Sequence, residues 1–365
     1  MSEWQTFCLK DLGKIVGGTT PSTNNPKNYG NKIAWITPKD LSTLQGRYIK
    51  KGSRSISRLG FKSCSCVLLP KHAILFSSRA PIGYVAIAKK RLCTNQGFKS
   101  IIPNKKIYFE FLYYLLKYHK DNISNIGGGT TFKEVSGATL GLFKVKIPPT
   151  YYEQQKIART LSILDQKIEN NHKINELLHT LAYKIYEYYF KYKPKNAKLE
   201  QIIIENPKSS IMVKNAQKTQ DKYPFFTSGD NILSYPKAII DGRNCFLNTG
   251  GNAGIKFYVG KASYSTDTWC ICANEFSDYL YLLLSNIKTH INQSFFQGTS
   301  LKHLQKNLLK KYPIYMPSAH EIKKFNQIIM PLLTLISINT RTSKKLEQIR
   351  DFLLPLLLKQ QVKPQ

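Results

Sequence analysis

Apolar residues recur in a heptad pattern along a stretch near the middle of the chain, Tyr151 to Tyr189. Their spacing alternates between four and three residues, which is typical of one helix packed lengthwise against another. The positions of this seam are Ile157, Leu161, Leu164, Ile168, Asn171, Asn175, Leu178, Ala182, Ile185 and Tyr189. A helix packed on its own domain would show a similar stripe, but a second copy near the C-terminus favours the paired-helix interpretation.

The segments on either side of this predicted helix are expected to be mixed α/β with strands dominating. The apolar runs 32–41 and 65–87 are rich in β-branched and aromatic residues and are interrupted by Pro and Gly, as strands and turns require. A helix is predicted at 109–119, and VKIPP closes the first region as an edge strand. Residues 199–317 repeat this plan in a shorter form, with a second helical run at 277–287.

The two halves of the chain end in similar motifs, which indicates an internal duplication. GTTF at 129–132 corresponds to GTSL at 298–301, and Glu153 corresponds to Glu321. The sequence separation of the two glutamates is one residue shorter than that of the two motifs. The seam also returns at the offset that relates the two glutamates, with Asn171 repeated as Asn339. The positions of the second seam are Phe325, Ile329, Leu332, Ile336, Asn339, Ser343, Leu346, Arg350, Leu353 and Leu357.

This duplication predicts an α+β protein in which two globular α/β domains are separated by two long helices. The helices are expected to form an antiparallel coiled coil, and the two halves to be related by a pseudo-twofold axis. Pro331 and Pro355 fall inside the second seam, so we expect kinks there, or a second helix that begins near Leu332. The expected boundaries are 1–150 for the first domain, 151–192 for its helix, 193–318 for the second domain and 319–365 for the C-terminal helix.

The chain is strongly basic, with 54 Lys plus Arg against 22 Asp plus Glu and a net charge of +32. Residues 41–109 contain no acidic residue, which compositional drift alone would rarely produce. A cationic surface of this extent suits a polyanion, most often nucleic acid. A membrane surface is the competing partner, but no basic amphipathic helix with a bulky apolar face is evident. Two basic domains on a helical spacer about 60 Å long suit a two-part site, with a spacing of at most about 17 base pairs.

Cysteine usage and hydropathy favour a reduced, cytoplasmic protein. Seven Cys are present, and the pairs Cys64/Cys66 and Cys270/Cys272 have CxC spacing, unlike the CxxC pair of a zinc site. Alternate residues of a strand face the same way, so we interpret both pairs as core thiols and expect no metal site. No segment has the roughly 18 apolar residues that a membrane span requires, and the N-terminus lacks the apolar core of a signal peptide.

The order of module, helix, module and helix resembles the DNA-specificity subunit of type I restriction–modification enzymes. The most specific similarity is the helix EQQKIARTLSILDQKIE at 153–169. Further similar motifs of the first half are ITPKDL (36–41), ILFSSRAPIGYVAI (74–87), NQGFKSIIP (95–103) and GTTFKEVS (129–136). In the second half, LNTGGNAG (247–254), STDT (265–268) and HEIKKF (320–325) take the places of LFSSRAPIG, TNQG and EQQKIA.

The resemblance implies that each domain is a target-recognition domain that binds one half of a split, asymmetric target in double-stranded DNA. The helices would set the gap between the two halves and dock two modification (methyltransferase) subunits. It further implies that S-adenosylmethionine, ATP and Mg²⁺ act on partner subunits, which methylate adenine and, in the restriction subunits, translocate and cleave DNA. The chain itself would then need no cofactor and no catalytic residue.

A single-chain methyltransferase–nuclease fusion is the main alternative, and a structural or RNA-binding protein with coiled-coil arms is a third hypothesis. The Asn-Pro-Pro-aromatic motif that holds a flipped adenine is absent from the sequence. The Gly-rich stretches 126–129 and 250–254 lack the GK[ST] that completes a phosphate-binding loop. We also find no RNA-module signature, so the sequence favours a non-catalytic DNA-binding chain.

Base-reading side chains are expected on loops, supported by Arg and Lys on phosphates. In the first domain the candidates are Thr37, Lys39, Ser77, Ser78, Arg79, Asn95, Gln96, Thr130 and Thr131. In the second domain they are Thr227, Ser228, Asn248, Thr249, Asn252, Lys256, Thr266, Asp267, Thr299 and Ser300. A hydrogen bond within a turn is the alternative role for each of them. Asn171 and Asn175 are expected to fix the register of the helix pair, with partner contact as the alternative.

Overall fold

The computed structural model of the chain describes residues 3–79, 81–129, 133–216 and 222–364. The fold divides into two compact units, one formed by residues 1–170 and 343–365 and the other by residues 171–342. Each unit therefore combines a globular α/β region with parts of two long helices. Within the described residues, no helix is both long and apolar enough to cross a membrane.

The strands of the first unit are β1 (Gln5–Cys8), β2 (Gly13–Gly17), β3 (Tyr29–Ile36), β4 (Tyr48–Ile49), β5 (Arg54–Ile56), β6 (Ile74–Phe76), β7 (Val85–Ala88), β8 (Cys93–Thr94), β9 (Lys99–Pro103) and β10 (Lys144–Ile147). They include a five-stranded sheet of order β2-β9-β6-β7-β4 and a three-stranded sheet of order β5-β3-β8. The predicted closing strand is β10, which pairs antiparallel with β1.

The described residues of the first unit also form helices. They are α1 (Leu9–Leu12), α2 (Pro38–Ser42), α3 (Arg58–Lys62), α4 (Phe109–Asn125), α5 (Gly137–Leu142) and α6 (Tyr151–Tyr186). The predicted helix 109–119 is α4. The last turns of this helix are polar, so the apolar run marks only its first part. Its buried face, centred on Phe111, Leu112 and Leu115, packs in one apolar cluster with Ile74 and Ile101 of the sheet. Burial of this face is the main source of its stability.

The second unit has a four-stranded sheet of order β12-β18-β15-β16 and a three-stranded sheet of order β14-β13-β17. Its strands are β11 (Ala197–Lys198), β12 (Ile204–Glu205), β13 (Tyr223–Phe226), β14 (Leu233–Tyr235), β15 (Arg243–Asn248), β16 (Ile255–Val259), β17 (Ser263–Tyr264), β18 (Thr268–Cys272), β19 (Phe296–Gln297), β20 (His303–Leu304) and β21 (Pro313–Ile314). Its helices are α7 (Val213–Ala216), α8 (Ser277–Asn286), α9 (Lys288–Ser294), α10 (Lys306–Lys310) and α11 (Ala319–Leu358).

The internal duplication predicted from the sequence is present in the backbone hydrogen bonds of both units. The Leu9 amide donates to the Phe143 carbonyl at 3.0 Å, and the Leu199 amide donates to the Tyr312 carbonyl at the same distance. Phe143 and Tyr312 are related by the same sequence offset as the GTTF and GTSL motifs. The fold class predicted from the sequence, α+β with a repeated α/β module and two long helices, is confirmed.

Both long helices begin with the same capping arrangement. The hydroxyl of Thr150 accepts the Glu153 amide at 3.2 Å, and the hydroxyl of Ser318 accepts the Glu321 amide at 3.3 Å. The Glu321 carboxylate in turn accepts the Ser318 amide at 2.9 Å. An S/T-x-x-E sequence thus marks both helix starts, because side-chain oxygens satisfy amides that have no intrahelical partner.

The prolines of the second seam do not interrupt its helix. α11 runs without a break from Ala319 to Leu358, so the expectation of a helix beginning near Leu332 is wrong. Side chains support the backbone next to Pro331, where Thr334 Oγ1 donates to the Met330 carbonyl at 2.6 Å and Arg243 Nη2 donates to it at 3.2 Å. α6, in contrast, ends in a π-helical turn at Glu187–Lys191.

In the second unit the two long helices pair antiparallel through amide side chains. Asn339 Nδ2 donates to Asn175 Oδ1 at 2.9 Å, and Asn175 Nδ2 lies 3.4 Å from both the Ile336 carbonyl and Thr340 Oγ1. Further along the pair, Tyr189 packs edge-on against Phe325. These amides are satisfied by each other only in this alignment, which supports a register function for Asn175 and Asn339.

In the first unit the same two helices meet in the same antiparallel sense. Leu161 shares an apolar cluster with Leu354 and Leu357. Arg350 Nη1 donates to Asp165 Oδ1 at 2.7 Å, and both side chains are largely buried. Arg350 stands at a position of the second seam that the heptad pattern alone would assign to an apolar residue.

Each globular region is joined to a long helix by an arginine, which is buried in the first unit and partly buried in the second. In the first unit, Arg47 pairs with Glu110 of α4 at 3.0 Å and with Glu169 of α6 at 3.2 Å. In the second unit, Arg243 pairs with Asp278 of α8 and donates to Thr334 of α11 at 2.9 Å. Burial raises the pKa of Asp278 although the arginine opposes this shift. Removal of Arg243 would leave the buried Asp278 carboxylate without its counter-charge, and removal of Arg47 would do the same to two partly buried glutamates.

The Asp165–Arg350 pair gives a test of the helix pairing. In R350M, Asp165 keeps only the Tyr114 hydroxyl, at 2.5 Å, so we expect the free energy of unfolding to fall by about 3 kcal/mol. R350M/D165N should recover at least half of this loss, because a neutral amide still accepts from Tyr114. Urea unfolding of the full chain measures the effect. The exposed control K345M should change stability by less than about 0.5 kcal/mol, and an R350M value equal to that of K345M would contradict the assignment.

Candidate nucleic-acid interface

In the first unit, the loops that follow three strands meet at one place. The Asn95 amide donates to the Ile36 carbonyl at 3.0 Å, and the Ser78 amide donates to the Gly97 carbonyl at 2.8 Å. Asn95 Oδ1 accepts the Gly97 amide at 3.0 Å, which closes a tight turn. The loops after β3, β6 and β8 are therefore adjacent, as the parallel pairing of β3 with β8 requires.

Several predicted readers in these loops form hydrogen bonds within the protein. Thr37 Oγ1 bonds Asp40 Oδ2 at 2.7 Å at the start of α2, and Ser77 Oγ donates to the Pro81 carbonyl at 2.8 Å. The Ser77 and Ser78 side chains are fully buried. Thr37 and Ser77 therefore shape the loops, which is the alternative role weighed from the sequence, whereas the buried Ser78 hydroxyl has no hydrogen-bond partner among the described residues.

Other candidates of the first unit face solvent. Lys39 and Gln96 are exposed, and the half-exposed Arg79 lies 3.7 Å from Glu134. An exposed ion pair of this kind costs little to open, so the Arg79 guanidinium is accessible to an anionic partner. Two candidates lie outside the described residues: Thr130 and Thr131.

Residues that the sequence interpretation missed also contribute to this surface. Thr20 Oγ1 donates to Gln96 Oε1, and the Thr19 amide donates to the Thr94 carbonyl at 3.0 Å. The backbone at Gly18 passes so close to the end of β8 that a Cβ on this residue would lie 2.0 Å from the Asn95 carbonyl oxygen. The GGTTP run at 17–21 was the available signal, because such a close approach requires a glycine.

The second unit builds the same junction with the same backbone hydrogen bonds. The Ser265 amide donates to the Phe226 carbonyl at 2.9 Å, and the Thr249 amide lies 3.4 Å from the Asp267 carbonyl oxygen. β13 and β17, which precede two of these loops, are parallel, as β3 and β8 are in the first unit. The two modules therefore present equivalent loops.

These bonds correct one detail of the sequence alignment. They place Ser265 at the position of Asn95 and Asp267 at that of Gly97, so the match of STDT with TNQG is wrong by one residue. The sequence comparison followed the similarity of Ser and Thr side chains. Backbone position is decided instead by which amide reaches the neighbouring strand.

Most candidates of the second unit lie in one hydrogen-bonded group. Ser228 Oγ and Thr249 Oγ1 both donate to the Asp267 carbonyl, the latter at 2.7 Å, and Thr227 Oγ1 accepts the Gly229 amide at 3.1 Å. Thr266 is half-buried. The fully solvent-facing candidates are Asn252, Asp267, Thr299 and Ser300.

The half-buried Lys256 forms hydrogen bonds with this group. Lys256 Nζ donates to the Thr227 carbonyl at 2.8 Å and to Asn248 Oδ1 at 2.9 Å, and Asn248 Nδ2 donates to the Asn252 carbonyl at 3.1 Å. Lys256 thereby fixes the orientation of the Asn248 amide and the loop that it bonds. Burial lowers the pKa of Lys256 to about 8.

The acid-free stretch 41–109 supplies many exposed cations of the first unit. One cation of the stretch is structural, since Arg47 is only 2% exposed and forms the ion pairs described above. The exposed cations are Lys50, Lys51, Arg54, Arg58, Lys62, Lys71, Lys89, Lys90, Arg91, Lys105 and Lys106. Flexible exposed cations of this number suit contacts to a phosphate backbone.

The two equivalent basic modules, each with polar strand-end loops and a long helix attached, define a duplicated recognition protein. The chain belongs to the type I restriction modification DNA specificity domain family, whose model matches residues 1–180 and 195–348.

Known relatives and a solved structure show the same relationship. The chain is 33% identical to the type I restriction enzyme MjaIX specificity subunit of Methanocaldococcus jannaschii, covering 98% of this chain and 93% of that protein. It is 30% identical to the type I restriction enzyme HindI specificity subunit of Haemophilus influenzae over 46% of this chain and 37% of that protein. The crystal structure of the type I restriction-modification system S subunit from M. genitalium shares the fold, with a TM-score of 0.65, 18% identity and coverage of 97% and 96%.

The shifted pKa of Lys256 predicts a pH-dependent stability. In the folded protein this amine loses its proton near pH 8, whereas in the unfolded chain it does so near 10.5. Between these values the unfolded chain binds more protons, so the contribution of Lys256 to the free energy of unfolding rises with pH. Wild-type protein should therefore gain stability relative to K256M between about pH 8 and 10.

Urea unfolding at fixed ionic strength measures this difference. The exposed control K261M separates the effect of burial from the loss of one positive charge. A stability difference between wild type and K256M that does not change with pH would contradict the assignment.

Proposed function

We propose that each module of this specificity subunit reads one half of a bipartite, asymmetric target in double-stranded DNA. The observation that carries the proposal is the pair of equivalent strand-end junctions, which share backbone hydrogen bonds and differ in side chains. The place of Gln96 is taken by Thr266, and that of Arg79 by Gly250. Because base readout depends on side-chain donors and acceptors, equivalent loops with different side chains would select different bases.

The exposed cations support binding to duplex DNA through its phosphates. Such contacts give affinity without sequence preference, and the loop side chains then add selectivity. The best-placed readers in the first module are Lys39, Arg79 and Gln96, which face solvent. In the second module they are Asn252, Asp267, Thr299 and Ser300, for the same reason.

The chain's own part in the assembled enzyme is recognition. Two modification subunits would dock on it and methylate adenine with S-adenosylmethionine, and restriction subunits would use ATP and Mg²⁺ to translocate and cleave DNA. The similarity to type I restriction enzyme specificity subunits supports a recognition function for this chain and catalytic functions for its partner subunits. The family match extends over both halves of the chain, which favours this function over a methyltransferase–nuclease fusion.

Methylation mapping tests the proposal. Genomic DNA from cells that carry this chain and its modification subunit should show adenine methylation at one motif with two different specified halves and an unspecified gap. Cells with the modification subunit alone are the control and should lack the motif. A continuous palindrome would overturn the two-module model.

The helix pair should set the gap between the two halves. We expect that four residues inserted after Asn171 in α6, with four inserted after Thr342 in α11, lengthen the gap by about two base pairs, from a rise of about 6 Å. Both half-sites should stay unchanged. The Asn175–Asn339 contact is preserved because both residues lie in the segment between the two insertions. The Asp165–Arg350 contact is preserved because both residues lie outside that segment.

Both helices receive an insertion of the same length because they pair antiparallel along each other. A chain with the insertion in α6 alone is the control, and it should lose methylation because one helix no longer matches the other. Methylation mapping of both variants gives the gap directly. Changed half-sites in the matched variant would show that the helices do more than set a spacing.

A solvent-facing apolar stripe of the helix pair is the best candidate for the modification-subunit contact. Leu177 is 71% exposed, and it is flanked on α6 by Ile174 and Leu181 and accompanied on α11 by Leu335 and Ile338, all of them exposed. Apolar side chains grouped at the surface indicate an interaction site. None of these side chains belongs to the predicted seam.

We expect L177E to weaken binding of the modification subunit by at least about tenfold, because a charge would be buried in the contact. Co-purification and analytical ultracentrifugation of the two proteins measure this loss. The neighbouring exposed variant E176Q is the matched control and should bind normally. Full binding by L177E would place the contact elsewhere.

A further inference from the structure

Three thiols lie together in the first unit, beside the junction of strand-end loops. The Cys64 and Cys66 sulfur atoms are 3.1 Å apart, and Cys66 is also hydrogen-bonded to Cys93 of β8. Thr19 Oγ1 lies 3.1 Å from the Cys66 sulfur and 3.7 Å from the Cys64 sulfur. Neither the proposed function nor the described ion pairs and core packing account for this cluster.

The local backbone explains the close approach of the sulfurs. The sequence interpretation placed Cys64 and Cys66 on one strand, and this is wrong, because residues 63–65 form a turn after α3. A turn brings the two side chains into contact, whereas a strand would hold them further apart. Both residues are half-buried, whereas Cys93 is completely buried. Peroxide-sized reagents can therefore reach the first two sulfurs.

The hydrogen bonds around Cys66 make it the reactive thiol of the cluster. The bond from the Cys93 thiol, reinforced by those from Thr19 and Cys64, lowers the pKa of Cys66 to about 6 against the opposing effect of burial. The pKa of Cys64 is raised by its own burial and by its contact with Cys66. Since the thiolate is the nucleophile, Cys66 should react before its neighbours at neutral pH.

We propose that Cys64 and Cys66 form a peroxide-sensitive dithiol that closes to a disulfide. In the first step the Cys66 thiolate attacks a hydroperoxide, so that an S–O bond forms, the O–O bond breaks, and the leaving alkoxide or hydroxide takes a proton from solvent to give an alcohol or water. In the second step the Cys64 sulfur attacks the Cys66 sulfenic acid, so that an S–S bond forms and the S–O bond breaks. The Cys64 proton leaves with the hydroxide as water.

The cluster is connected to a candidate base reader, and this part of the proposal rests on the proposed function. The Cys66 sulfur accepts a hydrogen bond from Thr19 Oγ1, and the hydroxyl of the adjacent Thr20 donates to Gln96 Oε1. The Thr19 carbonyl also accepts the Trp35 indole N–H at 3.0 Å. A disulfide would remove the thiolate that Thr19 bonds and change the Thr19–Thr20 segment, so the Gln96 side chain would lose its support.

Peptide mapping of the full-length chain tests the chemistry without DNA. Trypsin releases residues 63–71 with both Cys64 and Cys66, and residues 92–99 with Cys93. After hydrogen peroxide and then an alkylating reagent, peptide 63–71 should carry no alkyl group and be two hydrogens lighter, whereas the reduced protein should carry two alkyl groups. Oxidation should be at least about tenfold faster than at the half-buried Cys8.

Other outcomes of this mapping would overturn the assignment. A cross-link between peptides 63–71 and 92–99 would show that Cys93 is the partner, and a rate equal to that of Cys8 would show that the cluster is not reactive. C64S should stop at a Cys66 sulfenic acid that a dimedone probe labels. C272S, which removes a half-buried cysteine of the second unit, is the matched control and should form the disulfide as wild type does.

DNA binding is measured separately, with a duplex that contains the mapped motif. Oxidised wild-type protein should bind at least about tenfold more weakly than reduced protein, and dithiothreitol should restore binding, whereas C64S/C66S should not respond to peroxide. If the disulfide forms and binding is unchanged, the connection to Gln96 is wrong. If the disulfide forms and even the reduced protein fails to bind, the proposed function is what fails.

Discussion

The antiparallel pairing of α6 with α11 is the constraint on which the rest of the structure depends. In the second unit it is fixed by the Asn175–Asn339 amide pair, and in the first by the Asp165–Arg350 ion pair. Both contacts are polar groups in largely apolar surroundings, where a shifted alignment would leave donors and acceptors without partners. An arginine ion pair attaches the globular region of each unit to one of these helices, so each module is held by the helix pair of its own unit.

Duplication explains how one architecture can serve two different recognition tasks. The backbone contacts that form the strand-end junctions recur in both units, and so do the capping residues that start the long helices. The side chains on the loops have diverged, so that Gln96 is matched by Thr266 and Arg79 by Gly250. Backbone hydrogen bonds do not depend on side-chain identity, so the scaffold can persist while the loop surface changes.

The first unit combines exposed charge with thiol chemistry. Most cations of the acid-free stretch are exposed, whereas Arg47 is buried and structural. In the thiol cluster, Cys66 accepts a hydrogen bond from Thr19, and the adjacent Thr20 donates to Gln96 of the loop after β8. The proposed binding surface and the proposed reactive dithiol share one backbone segment, so a change in one would alter the support of the other.

The sequence by itself determined the element order, the duplication, the two long helices and the polar loops that carry most candidate residues. These features depend on local periodicity, capping residues and turn residues, which a linear pattern contains. Only the tertiary structure decided that α11 continues through Pro331, that Ser77 and Asn248 hold loops together, and that Thr20 bonds Gln96. It also decided which sulfurs touch and which loop positions correspond. Each of these depends on residues far apart in the chain, whose proximity follows from packing rather than from spacing.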